Sequence, residues 1–463
     1  MSFVVYDLIF LAAFTIFVVI FLYSRRKNLE RQGWIYLYKT KIGINFIDKF
    51  AKKYEKILRP FQYVVLVSGY ILLISICWLL AKTVYLYVTV PAISETIKAP
   101  PLAPLIPYFP TLFGLESFFP PLYFTYFIIV LAVVAVSHEF SHGIFARLNG
   151  LKIKSTGFAF LGPILGAFVD PDEKQLNKAR KFSQMTVLAA GTFANMIMVI
   201  VFGIILVIFF NSGFTPGGVY FSGYSISAIN VSVISGVGNL SADGSVPLDV
   251  NGTIYYTSQE VWDNTNKNNI GYLLAYDDSP AFRAKMQGAI IEIDGMRIKN
   301  YSELGSVIKS HKPGDEIFIR TAYSKSVGAN PNINSYNITL GDRNGTAFLG
   351  ISVSPLQTNG LMGWFYQNVF AKIKDPMIYY DSKWGELGWF VYYLLWWIVV
   401  INFFVALFNM LPLGILDGGR FFYLIIWGLT GKEKYGAKAF RIMTWLILFV
   451  FVALMVRWIW SLF

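Results

Sequence analysis

Cysteine and histidine are nearly absent from this chain. Cys77 is the sole cysteine among 463 residues, so no intramolecular disulfide can form and a zinc site built on several thiolates is excluded. It lies in an apolar run and reads as a buried free thiol packing as a small hydrophobe. Histidine occurs three times, and charged residues make up only 14% of the chain. Beside 55% hydrophobic and 17% aromatic residues, that scarcity excludes an ordinary soluble protein and points to an integral membrane protein. The net charge of +12 is unevenly spread, so it reads as a determinant of membrane orientation, with no nucleic-acid partner implied.

What is present in quantity is long apolar sequence. A helix needs roughly 20 apolar residues to cross a bilayer, and residues 3–23, 61–90, 122–147, 183–210, 389–411 and 442–463 qualify. The first lacks a basic start and a small-residue cleavage site, so it is expected to be a retained span rather than a signal peptide. The expected fold class is a mainly α polytopic membrane protein of about six transmembrane helices with an inserted extracytoplasmic β-rich domain. Residues 24–60 hold 11 Lys or Arg and three acids, whereas 92–121 hold one lysine in a proline-rich stretch. Short basic loops stay in the cytoplasm, so the first of these is expected inside and the second outside. The third span then runs inward to Arg147, Lys152 and Lys154, the fourth delivers 211–388 outside, and the basic stretch 432–441 falls inside again. This divides the chain into 1–60, 61–210, 211–388 and 389–463, a multi-pass protein of the cell membrane in contact with lipid.

The pattern Asn-x-Ser/Thr occurs at Asn230, Asn239, Asn251, Asn300, Asn337 and Asn344. All fall in the segment that the charge rule places outside, and such sequons mark surface loops of exported proteins. That segment is polar, rich in Gly and Asn, and patterned as short strands. Residues 288–298 read as strand, Asp-Gly turn, strand; 301–310 read as a short amphipathic helix and 314–324 as another strand. Residues 270–325, with the run Ser279-Pro280-Ala281 and the strand ending in Asp294-Gly295, resemble bacterial-type PDZ domains, and the rest of 217–356 does so loosely. The resemblance implies a domain that takes an extended peptide onto a sheet edge. Either 271–274 or 348–351 is a candidate for the peptide-facing strand. The alternative is a β-rich cap that only blocks access.

Two of the three histidines sit four apart, in the stretch "SHEFSH" inside the third span. Positions i and i+4 share a helix face, so His138 and His142 can present two imidazoles to one metal. Glu139 stands close enough to act on a water at that metal. This is the H-E-x-x-H arrangement of zinc hydrolases, and ionisable groups inside a span are costly and usually functional. A catalytic zinc takes a third protein ligand. His311 lies in an external turn and no cysteine serves, so a carboxylate near the cytoplasmic end of another span is needed. Asp417 fits: it follows Pro412, which should break the fifth span, and precedes Gly418 and Gly419.

These stretches together resemble the site-2 protease family of intramembrane zinc metalloproteases. The likeness covers 120–210 and 389–430, with the PDZ-like insertion between them. The family's H-E-x-x-H is met by His138, Glu139 and His142, and its N-x-x-P-x-x-x-x-D-G by Asn409, Pro412, Asp417 and Gly418. Its G-P-x-x-N motif is met by Gly191 to Asn195, with Thr192 where proline is usual.

The resemblance implies Zn2+ as cofactor, held by His138, His142 and Asp417, with Glu139 as the catalytic general base. Substrates would be single-pass membrane proteins cleaved within or near their spans, often trimmed outside beforehand. Asn409, and also Asn195, would hydrogen-bond the substrate backbone. Residues 151–170 read as a hairpin turning at Gly162 and Pro163, placed to hold unwound substrate by strand addition. The PDZ-like domain and the proline-rich 92–121 loop would form an outer filter. Three alternatives stand beside this reading. A prenyl-protein-type membrane zinc protease takes its third ligand from an E-x-x-x-D stretch, which residues 170–174 match poorly. A PDZ-bearing scaffold without activity would not need Glu139 and a complete second motif. A transporter would favour inverted repeats, and none is visible.

Overall fold

The computed structural model describes residues 3–89, 104–116, 118–162, 164–241, 244–324, 331–353 and 373–460. Pro163, residues 92–103 of the proline-rich stretch and residues 354–356 of the expected PDZ-like domain lie outside these. Eight helices organise the apolar part of the chain: α1 (Phe3–Ser24), α2 (Ile44–Lys53), α3 (Glu55–Thr89), α4 (Phe124–Leu148), α5 (Lys181–Gly213), α6 (Gly385–Asn409), α7 (Asp417–Thr430) and α8 (Glu433–Trp460). Among the described residues, all of these except α2 and α7 are long and apolar enough to span a membrane, six in total. Helices suit that setting because every backbone polar group is satisfied within the segment. Their outer faces carry Ile9, Ile71, Ile204 and Trp445, all more than half exposed. In water such continuous apolar surface would be a liability; in lipid it is the expected exterior.

Two compact units divide the chain, residues 1–209 with 390–463 and residues 210–389. In the first, lipid offers no hydrophobic drive between helices, so close packing relies on small residues. At Gly69 of α3, an added Cβ would come within 2.9 Å of both Ala189 on α5 and Phe421 on α7. A core of Val65, Ala189, Leu407, Met410 and Phe421 fills the junction. Helix α6 ends at Asn409 because Pro412 lacks an N–H and disfavours helix before it. The turn to α7 is so tight that a Cβ on Gly418 would lie 2.2 Å from the Met410 carbonyl.

The third span begins at a buried acid from the first. Asp7 of α1 is 1% exposed. It accepts hydrogen bonds from the backbone N–H groups of Phe124 (2.7 Å) and Thr125 (2.9 Å), the Thr125 hydroxyl (2.6 Å) and the Tyr108 hydroxyl (2.5 Å). A carboxylate at a helix N-terminus satisfies orphan amides and complements the helix dipole; here it comes from another helix, and the local N-cap position, Tyr123, makes no side-chain bond.

Part of the basic segment 24–60, expected as a loop, is instead a hairpin. Strands β1 (Leu29–Gln32) and β2 (Ile35–Thr40) join β3 (Ile153–Leu161) and β4 (Ile164–Pro171) in an antiparallel sheet of order β1-β2-β3-β4. Tyr36 pairs with Phe160 and Thr40 with Thr156. The aromatic rings of Phe21, Tyr38 and Phe160 pack together where α1 meets this sheet. The sheet ends at β4, whose outer edge carries no strand among the described residues.

The second unit is β-rich. One sheet contains Phe214–Tyr220, Ala289–Ile293, Glu316–Tyr323, Asn332–Thr339 and Ile378–Ser382, and helix Tyr301–Ser310 covers it through Leu304. A separate five-stranded sheet contains Ile226–Asn230, Gly236–Val237, Ser245–Val250, Thr253–Ser258 and Tyr272–Asp277, with its own core at Leu248 and Leu273. Tyr272–Asp277 pairs with 226–230 along Tyr272–Tyr276, and with 253–258 at Tyr276 and Asp277. The candidate stretch 271–274 is therefore paired on one side, through Tyr272, Leu273 and Leu274 to residues 228–230. The 348–351 stretch reaches Ile351, which pairs with Tyr224 on one side.

Candidate metal centre

The first unit gathers His138, His142 and Asp417, residues from two helices 279 positions apart in sequence. His138 and His142 point from one face of α4. Asp417 opens α7, fixed there by the turn after Pro412. His138 Nε2 lies 3.0 Å from His142 Nε2 and 3.2 Å from Asp417 Oδ2, and His142 Nε2 lies 3.4 Å from the same oxygen. A four-coordinate zinc with bonds of about 2.0–2.1 Å requires ligand atoms about 3.3 Å apart if tetrahedral. The donor set of two imidazoles and one carboxylate therefore fits that ion in chemistry and in spacing.

The cradle is cut close around these atoms. A Cβ added at Gly191 of α5 would come 2.4 Å from His142 Nε2 and 2.6 Å from His138 Nε2. Only glycine leaves both ligating nitrogens their space. One turn earlier, the Val187 carbonyl lies 2.7 Å from His142 Nδ1. A carbonyl only accepts, so Nδ1 carries a proton, and Nε2 is the ring atom turned to Asp417. One turn later, the Asn195 amide lies 3.1 Å from His138 Nδ1.

Glu139 stands beside the triangle, and its Oε2 accepts from the Val169 backbone N–H of β4 at 2.9 Å. One oxygen is thus anchored and the other is left for a reacting group. A cavity of about 440 Å³ opens over these residues, lined by His138, Glu139, His142, Asp417, Val169 and Asn409 among others. Asn409 ends α6, and its amide has no hydrogen-bond partner among the described residues.

Residues 126–454 match the family model described as Peptidase family M50. The chain belongs to that family, the site-2 protease family. M50 peptidases are membrane zinc metalloproteases, in agreement with the donor set and with the multi-pass architecture. An uncharacterized protein of Methanocaldococcus jannaschii is 31% identical over 191 residues, which is 40% of this M50 chain and 47% of the relative. The chain thus spans about half the length of the curated relative it matches.

Two residues expected to contact substrate lie outside the cavity lining. Gly162 does not line the cavity. It sits at the tip of the β3–β4 hairpin with φ +59°, where glycine makes the left-handed turn without strain. Asn195 is fully buried, beside His138 Nδ1, and does not line the cavity either. His311, expected in an external turn, lies in the second unit, paired with Asp294 and the Val307 carbonyl. Sequence reading missed the backbone groups of Val169 and Val187, which carry no side-chain signal. It also missed Asp7, for which a signal existed: it is the sole charged residue in the first span.

Proposed function

We propose that this protein is an intramembrane zinc metalloendopeptidase that cleaves single-pass membrane proteins within or next to their transmembrane segments. The observation that carries the reading is the triangle of His138, His142 and Asp417 with an anchored Glu139 on the wall of the same cavity. His138, His142 and Asp417 would hold the zinc. When bound, zinc supplies Lewis acidity, lowering the pKa of a water and polarising the scissile carbonyl.

The protein's own groups do the rest. Glu139, oriented by the Val169 N–H, takes the proton of the attacking water and returns it to the departing amine. Asn409, which lines the cavity and whose amide has no partner among the described residues, donates to the substrate backbone. A helical substrate hides its peptide bonds in its own hydrogen bonds, so it must be extended to react. The outer edge of β4 suits that form. Since the Val169 N–H points away from β3, the alternation of a strand turns the N–H and C=O groups of Ala167 and Leu165 to the same open edge. An extended peptide added there runs toward Glu139.

For orientation, the basic residues Arg147, Lys152 and Lys154 after α4 support an active site toward the cytoplasmic side. The second unit, with its six sequons, then lies outside. There it serves as a PDZ-like filter, with 271–274 or 348–351 as the candidate peptide-facing strand. The test compares wild type with Glu139→Gln in detergent, reading both zinc content and cleavage of a single-pass reporter. The variant should keep its zinc and lose on the order of 10²–10⁴ in rate. Equal cleavage by the two would refute the role of Glu139; no cleavage by either, across several reporters, would favour the scaffold reading.

A further inference from the structure

The face that α5 turns to the histidines is built in three steps one turn apart: the Val187 carbonyl, the bare Gly191, and the Asn195 amide. Two of them make sense at once. Val187 fixes the His142 ring through Nδ1, and Gly191 clears space for both Nε2 atoms. The third resolves by counting protons. An imidazole that ligates through Nε2 is neutral and carries its proton on Nδ1, so it needs an acceptor there. Asn195 is the sole hydrogen-bonding partner of His138 Nδ1 among the described residues.

An amide can turn either end to that nitrogen. With Nδ2 against Nδ1, two donors meet as soon as His138 becomes a ligand. On the other side of the amide stands the Ser137 hydroxyl, 3.3 Å from Oδ1; the Val133 carbonyl at 2.8 Å and the Val134 carbonyl at 3.1 Å are its nearer acceptors, so its proton goes there. Having spent its proton, Ser137 Oγ can only accept. One arrangement satisfies every group: Oδ1 accepts from His138 Nδ1–H, and Nδ2 donates to Ser137 Oγ.

We propose that Asn195 is a positioning residue for His138, holding its Nε2-ligating tautomer and ring orientation through the amide oxygen. It then matches the Val187 carbonyl, and α5 is the helix that orients both histidines. This rests on the zinc reading of the site. It also gives a reason for a polar side chain that is 0% exposed, where a substrate contact would require access.

The test is zinc affinity, measured on the purified full chain by competition with a chromophoric chelator. Asn195→Leu, which removes the acceptor at similar size, should weaken zinc binding about 10–100-fold. Asn195→Asp keeps an oxygen toward Nδ1 and should restore binding to near the wild-type value. The melting temperature of the metal-free protein, read alongside, should be nearly the same for wild type and Asn195→Leu. Asn195→Ala repeats the measurement should the leucine variant not fold. Unchanged zinc affinity in Asn195→Leu with a raised KM would overturn the proposal in favour of a substrate contact. Equal weakening in Asn195→Leu and Asn195→Asp would overturn it in favour of plain packing. Asp417→Asn serves as the control: if wild type and that variant alike bind no zinc, the zinc reading itself fails, and the proposal with it.

Discussion

Replacing Gly191 by alanine adds a single methyl group to a helix that otherwise gains from it, since alanine is the better helix former by about 1 kcal/mol. The site gives the opposite result. The new Cβ would stand 2.4 Å from His142 Nε2 and 2.6 Å from His138 Nε2, where ordinary contact begins at 3.4 Å. The two nitrogens would have to retreat by about 1.0 Å and about 0.8 Å respectively. Sound metal sites hold their ligand distances within about 0.2 Å, so retreat on this scale dismantles the triangle. Removal of one outer partner of a ligand costs about 10–100-fold in affinity; displacement of two ligands together should cost at least the upper end of that range. Gly191→Ala is therefore expected to purify as a folded protein, with a melting temperature close to wild type in the metal-free state, little zinc and no peptidase activity. Elemental analysis after chelation and reloading reads the first outcome, and cleavage of a single-pass reporter the second. A Gly191→Ala protein that keeps full zinc and full activity would refute the close cradle on which the metal assignment leans.

Three further outcomes are expected. Asp417→Asn should lose most of its zinc, because the neutral amide replaces the one anionic ligand; full occupancy measured by elemental analysis would mean the third ligand lies elsewhere. Protease added to intact cells should cut within 211–388 and spare 24–60, as mapped by peptide mass; protection of 211–388 would reverse the orientation. Asp7→Ala leaves two backbone amides and two hydroxyls without their acceptor, so the membrane unit should lose about 2–4 kcal/mol, read as a lowered denaturation midpoint in detergent; an unchanged midpoint would show that other groups already satisfy those donors.

The long apolar runs made the six spans visible, and histidine scarcity made the pair at 138 and 142 stand out. Pro412 marked the end of α6, and Asp417 followed from the need for a third ligand on the same side. These are features of composition and of spacing along one helix, which a sequence carries openly. The β1–β2 hairpin was hidden because its strands are short and interrupted by Glu30, Arg31 and Lys39, and it is held as an edge by pairing with β3 more than a hundred positions away. Glu139 and His142 find their partners in backbone groups of Val169 and Val187, which any residue could supply. Asn195 was legible as a motif position but not in its direction: whether the amide faces substrate or the back of a histidine depends on how α5 is rotated, which no local pattern encodes.

The carboxylate of Asp7 has a consequence for how the protein is made. The first helix leaves the ribosome more than a hundred residues before the amides of Phe124 and Thr125 that it will cap. Until the two helices meet, the helix that bears both histidines enters the lipid with its leading amides unsatisfied, a costly state there. Trimming or replacing the first helix is therefore expected to disturb the start of the third span, although the change lies far from His138 and His142.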